Sequence, residues 1–139
     1  MVEPHFRIQP ETGISEVTNL MMQHNEVATA VQDEAGNLVG EITSDLLFQY
    51  GMPDFFKQLQ SVSFVKNFNP LEKFFANQAK MKAGDLMTSD YAEVDRQNTL
   101  IEVIFLLTVK QHSKVYVTDA GKLVGVIGRL AVLDRAINF

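Results

Sequence analysis

The chain has 139 residues, a net charge of −5, 46% hydrophobic residues and no cysteine, a composition typical of one globular domain or of two small repeats. The absence of cysteine excludes disulfides and thiolate metal sites, and the negative charge disfavours nucleic acid as a partner. No apolar run has the roughly 18 residues of a membrane span, so we expect no membrane insertion. The N-terminus also lacks the basic region and apolar segment of a signal peptide, so we expect a cytoplasmic location.

The first predicted repeat covers residues 1–50 and begins with a short strand at Arg7 to Gln9. An amphipathic helix follows, because the side chains of one face recur every three or four positions from Ile14 to His24. The β-branched run Val27 to Val31 predicts a strand, and the turn around Gly36 predicts a hairpin, since glycine tolerates a positive φ. A second helix closes the unit.

Residues 51–82 form a connector that carries six of the ten phenylalanines. Pro53 and Pro70 each open a predicted helix, because proline is favoured in the first helical turn. One interpretation is that these phenylalanines complete the core. The other is that some stay exposed and bury against a second copy or a parent domain. We expect a homodimer with this segment at or near its interface, and the candidate interface residues are Leu71, Phe74 and Phe75.

The second predicted repeat covers residues 83–139. A strand at Ala92 to Asp95 leads into a helix whose start is a capping box of Thr99 and Glu102. The run Val103 to Leu107 is apolar at every position, which predicts burial on more than one side. Another hairpin and another helix complete this unit.

The two units share a sequence motif. The stretch Ala35–Ile42 (AGNLVGEI) is repeated in similar form as Ala120–Ile127 (AGKLVGVI). The helices before these stretches match at an offset of 86 residues and the turns at 85, so each unit is predicted as βαββα. Neither unit is large enough for a core of its own. We therefore predict an α/β fold of the α+β type, with two repeats related by a pseudo-two-fold axis, sheets packed together, helices outside and a helical segment between the repeats.

This order of elements resembles the CBS domain, a module that almost always occurs in tandem pairs, and the resemblance covers nearly the whole chain. It is carried by the two glycine turns, by Asp33 and Asp119 at the strand ends, and by the lead-in Lys82–Thr88 (KAGDLMT) before the second copy. Residues 1–6 lack that lead-in, so we expect the chain to be a segment of a longer protein. The alternative is a natural protein with a short start.

The resemblance implies a nucleotide site where the last strand of the first repeat meets its last helix, at Thr43, Ser44 and Asp45. In CBS pairs the aspartate accepts hydrogen bonds from ribose hydroxyls, while the hydroxyl side chain and the helix N-terminus face phosphate. Gly40, whose missing side chain permits close approach, and Ile8 complete the candidate set. The alternative is that Thr43, Ser44 and Asp45 are ordinary N-cap residues. Asp45 also comes one residue earlier than in the family pattern.

The second junction departs further from that pattern, because Gly128 stands at the hydroxyl position and no carboxylate follows until Asp134. Arg129 is either a phosphate contact or a solvated side chain at a helix start. We therefore expect an adenine nucleotide (AMP, ADP or ATP) to bind at the first junction, with saturation near one nucleotide per chain, or not to bind at all.

Patterns that indicate catalysis or metal binding are missing from the sequence. His5, His24 and His112 are dispersed, and the chain contains no nucleophile elbow, P-loop or dinucleotide fingerprint. We expect no enzymatic activity, no metal site and no certain cofactor.

The resemblance implies a regulatory sensor, in which a nucleotide between the repeats changes the state of a partner domain or protein. The rival is a ligand-blind module that dimerises and holds partners in place. Thr43 and Asp45 favour the sensor, whereas Gly128 favours the rival. Stretches such as Tyr116–Asp119 also look similar to CBS pairs beside bacterial phosphotransferase-type domains, so the parent is alternatively a transport or nitrogen-signalling protein.

Overall fold

The computed structural model describes residues 4–49 and 80–138. The phenylalanine-rich part of the predicted connector lies outside the described residues, and so do the interface candidates Leu71, Phe74 and Phe75. Among the described helices, none has the length and apolar character needed to cross a membrane.

The first repeat contains, before its closing helix, these elements: α1 (Ile14–Gln23), β1 (Ala28–Gln32) and β2 (Leu38–Thr43). α1 ends one residue before the predicted end, so that His24 is its exposed C-cap. The closing helix begins at residue 44 and is described as far as residue 49. The predicted first strand is reduced to one bridge, in which Ile8 pairs with Val31 in parallel.

The second repeat contains six elements: α2 (Ala83–Leu86), β3 (Ala92–Asp95), α3 (Leu100–Thr108), β4 (Lys114–Asp119), β5 (Lys122–Gly128) and α4 (Arg129–Ile137). α3 begins with the predicted capping box. The amide of Glu102 donates to Thr99 Oγ1 at 3.3 Å, and the amide of Thr99 donates to the Glu102 carboxylate at 3.4 Å. Two N–H groups that the helix itself cannot satisfy are thereby paired.

The described strands form one sheet in each repeat. β1 pairs with β2 in antiparallel fashion, whereas β4 pairs in parallel with β3 and in antiparallel fashion with β5. Both hairpins shift register at equivalent places, after Val31 and after Val117. Gly36 and Gly121 in the turns have φ values of +91° and +84°, a region that glycine enters without strain. The two predicted hairpins are confirmed. The two repeats also share the position of the register shift and the positive φ of the turn glycine.

Contrary to the expectation that neither repeat has a core of its own, each repeat has a cluster of buried apolar side chains. The cluster of the first repeat comprises Ile8, Ile14, Val17, Met21, Val31, Ile42, Ala83 and Leu86. The cluster of the second repeat comprises Ala92, Val94, Val103, Leu107, Val115 and Val117. A third cluster, of Ala30, Leu38 and Tyr116, joins the two sheets.

α3 is buried on one side only. Val103 and Leu107 are 4% and 5% exposed, whereas Ile101 and Phe105 are 78% and 48% exposed. The prediction that this helix is buried on more than one side was therefore wrong. An apolar run of this kind indicates that the helix is hydrophobic, but it does not indicate which side is packed. Here one side of α3 packs on β4, and the other side faces away from the sheet.

The hairpin turns join the two repeats to each other. The amide of Leu38 donates to the carbonyl of Gly121, and the amide of Leu123 donates to the carbonyl of Gly36, each at 3.0 Å. Leu38 and Leu123 hold equivalent places in the two repeats, as do Gly36 and Gly121. This reciprocal pair of hydrogen bonds indicates the pseudo-two-fold axis that the sequence predicts.

The lead-in to the second repeat packs on the first repeat. Ala83 and Leu86 of α2 belong to the core cluster of the first repeat. The backbone of Thr88 then exchanges two hydrogen bonds with Glu41 in β2, at 2.9 and 3.0 Å. The two repeats are thus tied together through the chain that connects them as well as through their sheets.

Gly40 is a point of close contact between these parts, and we predict that Gly40→Ala destabilises the fold. A β-carbon at Gly40 would lie 2.6 Å from Sδ and 2.9 Å from Cγ of Met87. Overpacking of this kind is expected to lower the free energy of unfolding by about 1–3 kcal/mol, measured by denaturant unfolding. Gly128→Ala is the control, because a β-carbon there meets no described atom within 4 Å. Equal stability of the two variants, or failure of Met87→Ala to rescue Gly40→Ala, would contradict this reason.

Candidate functional site

Two clefts lie between the repeats at equivalent places. The first cleft has a volume of about 620 Å³ and is lined by Val27, Glu41, Thr43, Ser44, Asp45, Leu46, Gln49, Thr88, Asp90, Lys110, Gln111, His112 and Ser113. The second cleft has a volume of about 350 Å³ and is lined by Pro4, His5, Phe6, Glu26, Thr29, Ala30, Lys114, Tyr116, Val126, Gly128, Arg129, Leu130 and Ala131. Each cleft contains the strand-to-helix junction of one repeat.

The junction in the first cleft has a capped helix. Thr43 Oγ1 accepts a hydrogen bond from the amide of Leu46 at 3.1 Å, which is the N-cap geometry. Asp45 is exposed in the first turn, where a carboxylate further offsets the positive end of the helix dipole. Of the two interpretations of Thr43, the capping role is the one observed in the structure. A nucleotide contact by Thr43, Ser44 or Asp45 stays a prediction.

The other sequence-predicted site residues do not join this junction. Gly40 is buried and its open side is filled by Met87, so that the close approach predicted there is made by a side chain of the protein itself. Ile8 is fully buried in the core of the first repeat and lines neither cleft, and a ligand contact by Ile8 stays a prediction. Arg129 lines the second cleft instead.

The junction in the second cleft has an open helix start. Gly128 is the N-cap of α4 in an extended conformation and has no side chain to accept from the first N–H groups. α4, which is described in full, has no acidic residue in its first turn. Arg129 is held at this helix start because its guanidinium donates to the carbonyl of Leu107 at 3.1 Å. Unlike the helix in the first cleft, α4 therefore presents an uncapped, positively polarised end.

An ion pair that the sequence analysis missed lies in the second cleft. The ammonium of Lys114 contacts the carboxylate of Glu26, and the two side chains are 17% and 20% exposed. The residues are 88 positions apart, so neither periodicity nor local spacing relates them. A signal was present in the repeat alignment, because Lys114 takes the place that Ala28 holds in the first repeat.

A second pair joins the repeats near the pseudo-two-fold axis. The hydroxyl of Tyr116, which lines the second cleft, donates to the carboxylate of Glu41, which lines the first, at 2.5 Å. Burial raises the pKa of Glu41 above its ordinary value of 4.5, while the Tyr116 hydrogen bond and the charge of Lys114 act in the opposite direction. Burial, followed by the negative charge of Glu41, raises the pKa of Tyr116. The hydroxyl is consequently a hydrogen-bond donor at any physiological pH.

The first cleft is predominantly acidic. Its lining includes the carboxylates of Glu41, Asp45 and Asp90, against the single ammonium of Lys110. A phosphate placed there would meet three like charges, and like charges at short range are repulsive by an amount that grows as the site is shielded from water.

The second cleft has the opposite balance. It is lined by the cations Lys114 and Arg129 and by one carboxylate, Glu26, which already contacts Lys114. Together with the uncapped start of α4, these charges favour an anion. Of the site residues predicted from the sequence, Thr43, Ser44 and Asp45 line the first cleft, Arg129 lines the second, and Gly40 and Ile8 line neither. The cleft predicted to be the weaker one has the better groups for phosphate.

Aromatic rings lie at the rim of the second cleft. The rings of His5 and His24 stack with their centroids 5.4 Å apart and an angle of 11°, and Phe6 lies 5.0 Å from His24. The histidines that the sequence analysis treated as dispersed therefore include one neighbouring pair. Within residues 4–49 and 80–138, no group of three or more potential metal ligands is found.

The comparisons with known proteins agree with this architecture. Residues 83–138 match the family model of the CBS domain. CBSX2 from Arabidopsis thaliana has a similar structure, with 24% sequence identity and a TM-score of 0.74, over 99% of this chain and 91% of that chain. A crystal structure of CBSX2 in complex with AMP gives 23% identity and a TM-score of 0.73, over 99% and 93%.

Staphylococcus aureus OpuCA is similar at 20% identity and a TM-score of 0.68, over 99% of this chain and 96% of that chain. The comparison with curated proteins gave no match. The second repeat thus matches the model of the CBS domain, and the chain has the fold of CBS-pair proteins over nearly its whole length.

Proposed function

We propose that the chain is a non-catalytic regulatory module that binds an adenine nucleotide between its two repeats. The observation that carries this proposal is the second cleft, where the uncapped start of α4 lies with Lys114 and Arg129. The complex of CBSX2 with AMP supports it, as an example of the same fold with this ligand. A nucleotide of the AMP, ADP or ATP type suits the cleft because its phosphate is the anion that these groups favour.

The second cleft is our choice over the first for the phosphate. The first junction offers a ribose acceptor in Asp45, but its helix is already capped by Thr43 and its lining is acidic. The second junction lacks a ribose aspartate but offers two cations and free helix N–H groups. Phosphate carries the greater charge, so we weigh its requirements above those of the ribose.

Regulation follows from where the clefts lie. Both repeats line each cleft, so a ligand that contacts both repeats binds best at one relative position of the two. A ligand shifts an equilibrium only through different affinity for its two states, and a ligand held by both repeats is expected to have such a difference. A partner domain or protein attached to either repeat is the proposed receiver of the change.

A second candidate function is assembly, and one observation favours it. α3 and α4 carry exposed large apolar side chains: Leu100, Ile101, Phe105, Leu130, Leu133 and Ile137. The exposed side of α1 is by contrast polar except for Met22. We propose that two copies of the chain pair through the α3–α4 side, which is compatible with nucleotide binding in the clefts.

Calorimetric titration with AMP tests the nucleotide proposal. The wild type is expected to saturate near one AMP per chain. Arg129→Gln is expected to weaken AMP binding about tenfold or more, the scale of a charged hydrogen bond, whereas Asp45→Asn leaves the affinity unchanged. Thermal unfolding of each variant separates lost binding from lost folding.

The opposite pattern of affinities in these two variants would place the ligand in the other cleft. Weak AMP binding by Asp45→Asn with normal binding by Arg129→Gln would move the ligand to the first cleft. Failure of the wild type to bind AMP, ADP and ATP would refute the sensor and leave the assembly module.

A further inference from the structure

The second cleft contains an ion pair between the repeats that has no equivalent in the first cleft. Lys114, at the start of β4, contacts the carboxylate of Glu26, which precedes β1. The pair is largely shielded from water, yet both residues line the cleft. At the equivalent positions of the other repeat, 86 residues away, stand Ala28 and His112. At these positions, an ion pair between the repeats is therefore possible only in the second cleft, between Lys114 and Glu26.

Lys114 also lies beside the open helix start. It is the strand partner of Gly128 across the β4–β5 ladder, and α4 begins at the next residue, Arg129. An anion bound to the first N–H groups of α4 would therefore lie next to the residue whose ammonium Glu26 now contacts. Two anions, the ligand's phosphate and the Glu26 carboxylate, compete for one cation.

We propose that the phosphate monoester of a nucleotide displaces Glu26 from Lys114, so that Lys114 selects phosphorylated ligands and Glu26 sets the concentration at which they bind. This inference rests on the proposed function. The exchange involves no covalent step, since one anion replaces another at one cation. Because Glu26 belongs to the first repeat and Lys114 to the second, binding also removes an ionic link between the repeats. The free and bound states then differ in a contact that holds the module together.

The test compares AMP with adenosine, which lacks the phosphate, by calorimetry on the whole chain. Glu26→Gln removes the competitor and is expected to strengthen AMP binding about two- to fivefold, the upper range for a partly exposed ion pair, without changing adenosine binding. Lys114→Met is expected to weaken AMP binding about tenfold and to leave adenosine binding unchanged, so that the preference for AMP is lost. Glu34→Gln is the matched control, because it makes the same charge change at an exposed turn position.

The two substitutions must also depend on each other. In the Lys114→Met background, Glu26→Gln is expected to lose the gain in AMP affinity that comes from freeing Lys114 and to keep only the relief of direct repulsion between Glu26 and the phosphate, so that the two substitutions are not additive. If Lys114→Met alone fails to fold because Glu26 is left unpaired, the double variant, which lacks both charges, takes its place in the comparison.

The remaining outcomes separate this inference from the proposed function. AMP affinity that is equal in the wild type and in Glu26→Gln, or changes of AMP and adenosine affinity in parallel, would overturn the exchange while nucleotide binding stands. A wild type that binds neither AMP nor adenosine overturns the proposed function and the exchange with it.

Discussion

Tyr116→Ala is expected to lower the free energy of unfolding by about 3–5 kcal/mol, the scale for truncating a large buried aromatic side chain. Tyr116 is 1% exposed and is among the largest fully buried side chains of the described residues. Its ring packs with Ala30 and Leu38 in the cluster that joins the two sheets, and Tyr91 lies edge-on to it at 6.2 Å. Truncation would therefore leave a cavity between the repeats, measurable by urea unfolding.

Tyr116→Phe separates the hydroxyl from the ring. It is expected to cost about 1–3 kcal/mol at pH 7.5, because the Glu41 carboxylate loses its donor while still buried. The folded pKa of Glu41 is raised above its ordinary 4.5, so the stability contributed by its protonated form is present below 4.5 and is lost as the pH rises through the folded value. The cost of Tyr116→Phe should accordingly be smaller at pH 4 than at pH 7.5. A pH-independent cost, or none, would show that the hydrogen bond does not stabilise the fold.

Ile101→Ser with Phe105→Ser is expected to convert a dimer into a monomer. Each exposed apolar side chain that is buried on pairing contributes about 1.5–3 kcal/mol, and two residues on each of two copies are lost, so the dimer should weaken by at least about ten-thousandfold. Sedimentation equilibrium measures this directly. Met22→Ser is the control, because Met22 is exposed on α1 and not on the α3–α4 side.

Either of two results would remove that interface. A wild type that is monomeric refutes the homodimer. A folded double variant that stays dimeric places the contact elsewhere, for instance at the sequence-predicted residues Leu71, Phe74 and Phe75, which lie outside the described residues.

The repeat itself could be predicted because its signals are local. Glycine turns, β-branched runs and the Thr99 capping box all lie within a few residues of the structure that they specify, and the hairpins and α3 form where these signals predict. Ile8 shows the limit of this approach. Ile8 forms one isolated bridge to β1, with Val31, and its full burial depends on how distant segments such as α2 pack over it.

The clefts could be predicted only in part, for the same physical reason. Thr43 was predicted either as a cap or as a ligand contact, and both roles use the same hydroxyl at the same helix end. The pairs that distinguish the clefts, Lys114 with Glu26 and Tyr116 with Glu41, join residues 88 and 75 positions apart. They exist only once the two repeats have docked, and no local pattern encodes that contact.

A crystal structure of the chain grown with saturating AMP would show which cleft binds the nucleotide. We expect one AMP per chain between the repeats, with its phosphate beside Lys114 and the first N–H groups of α4, and with Glu26 turned away from Lys114. An AMP bound at the Thr43–Asp45 junction, or both clefts empty at saturating AMP, would contradict it.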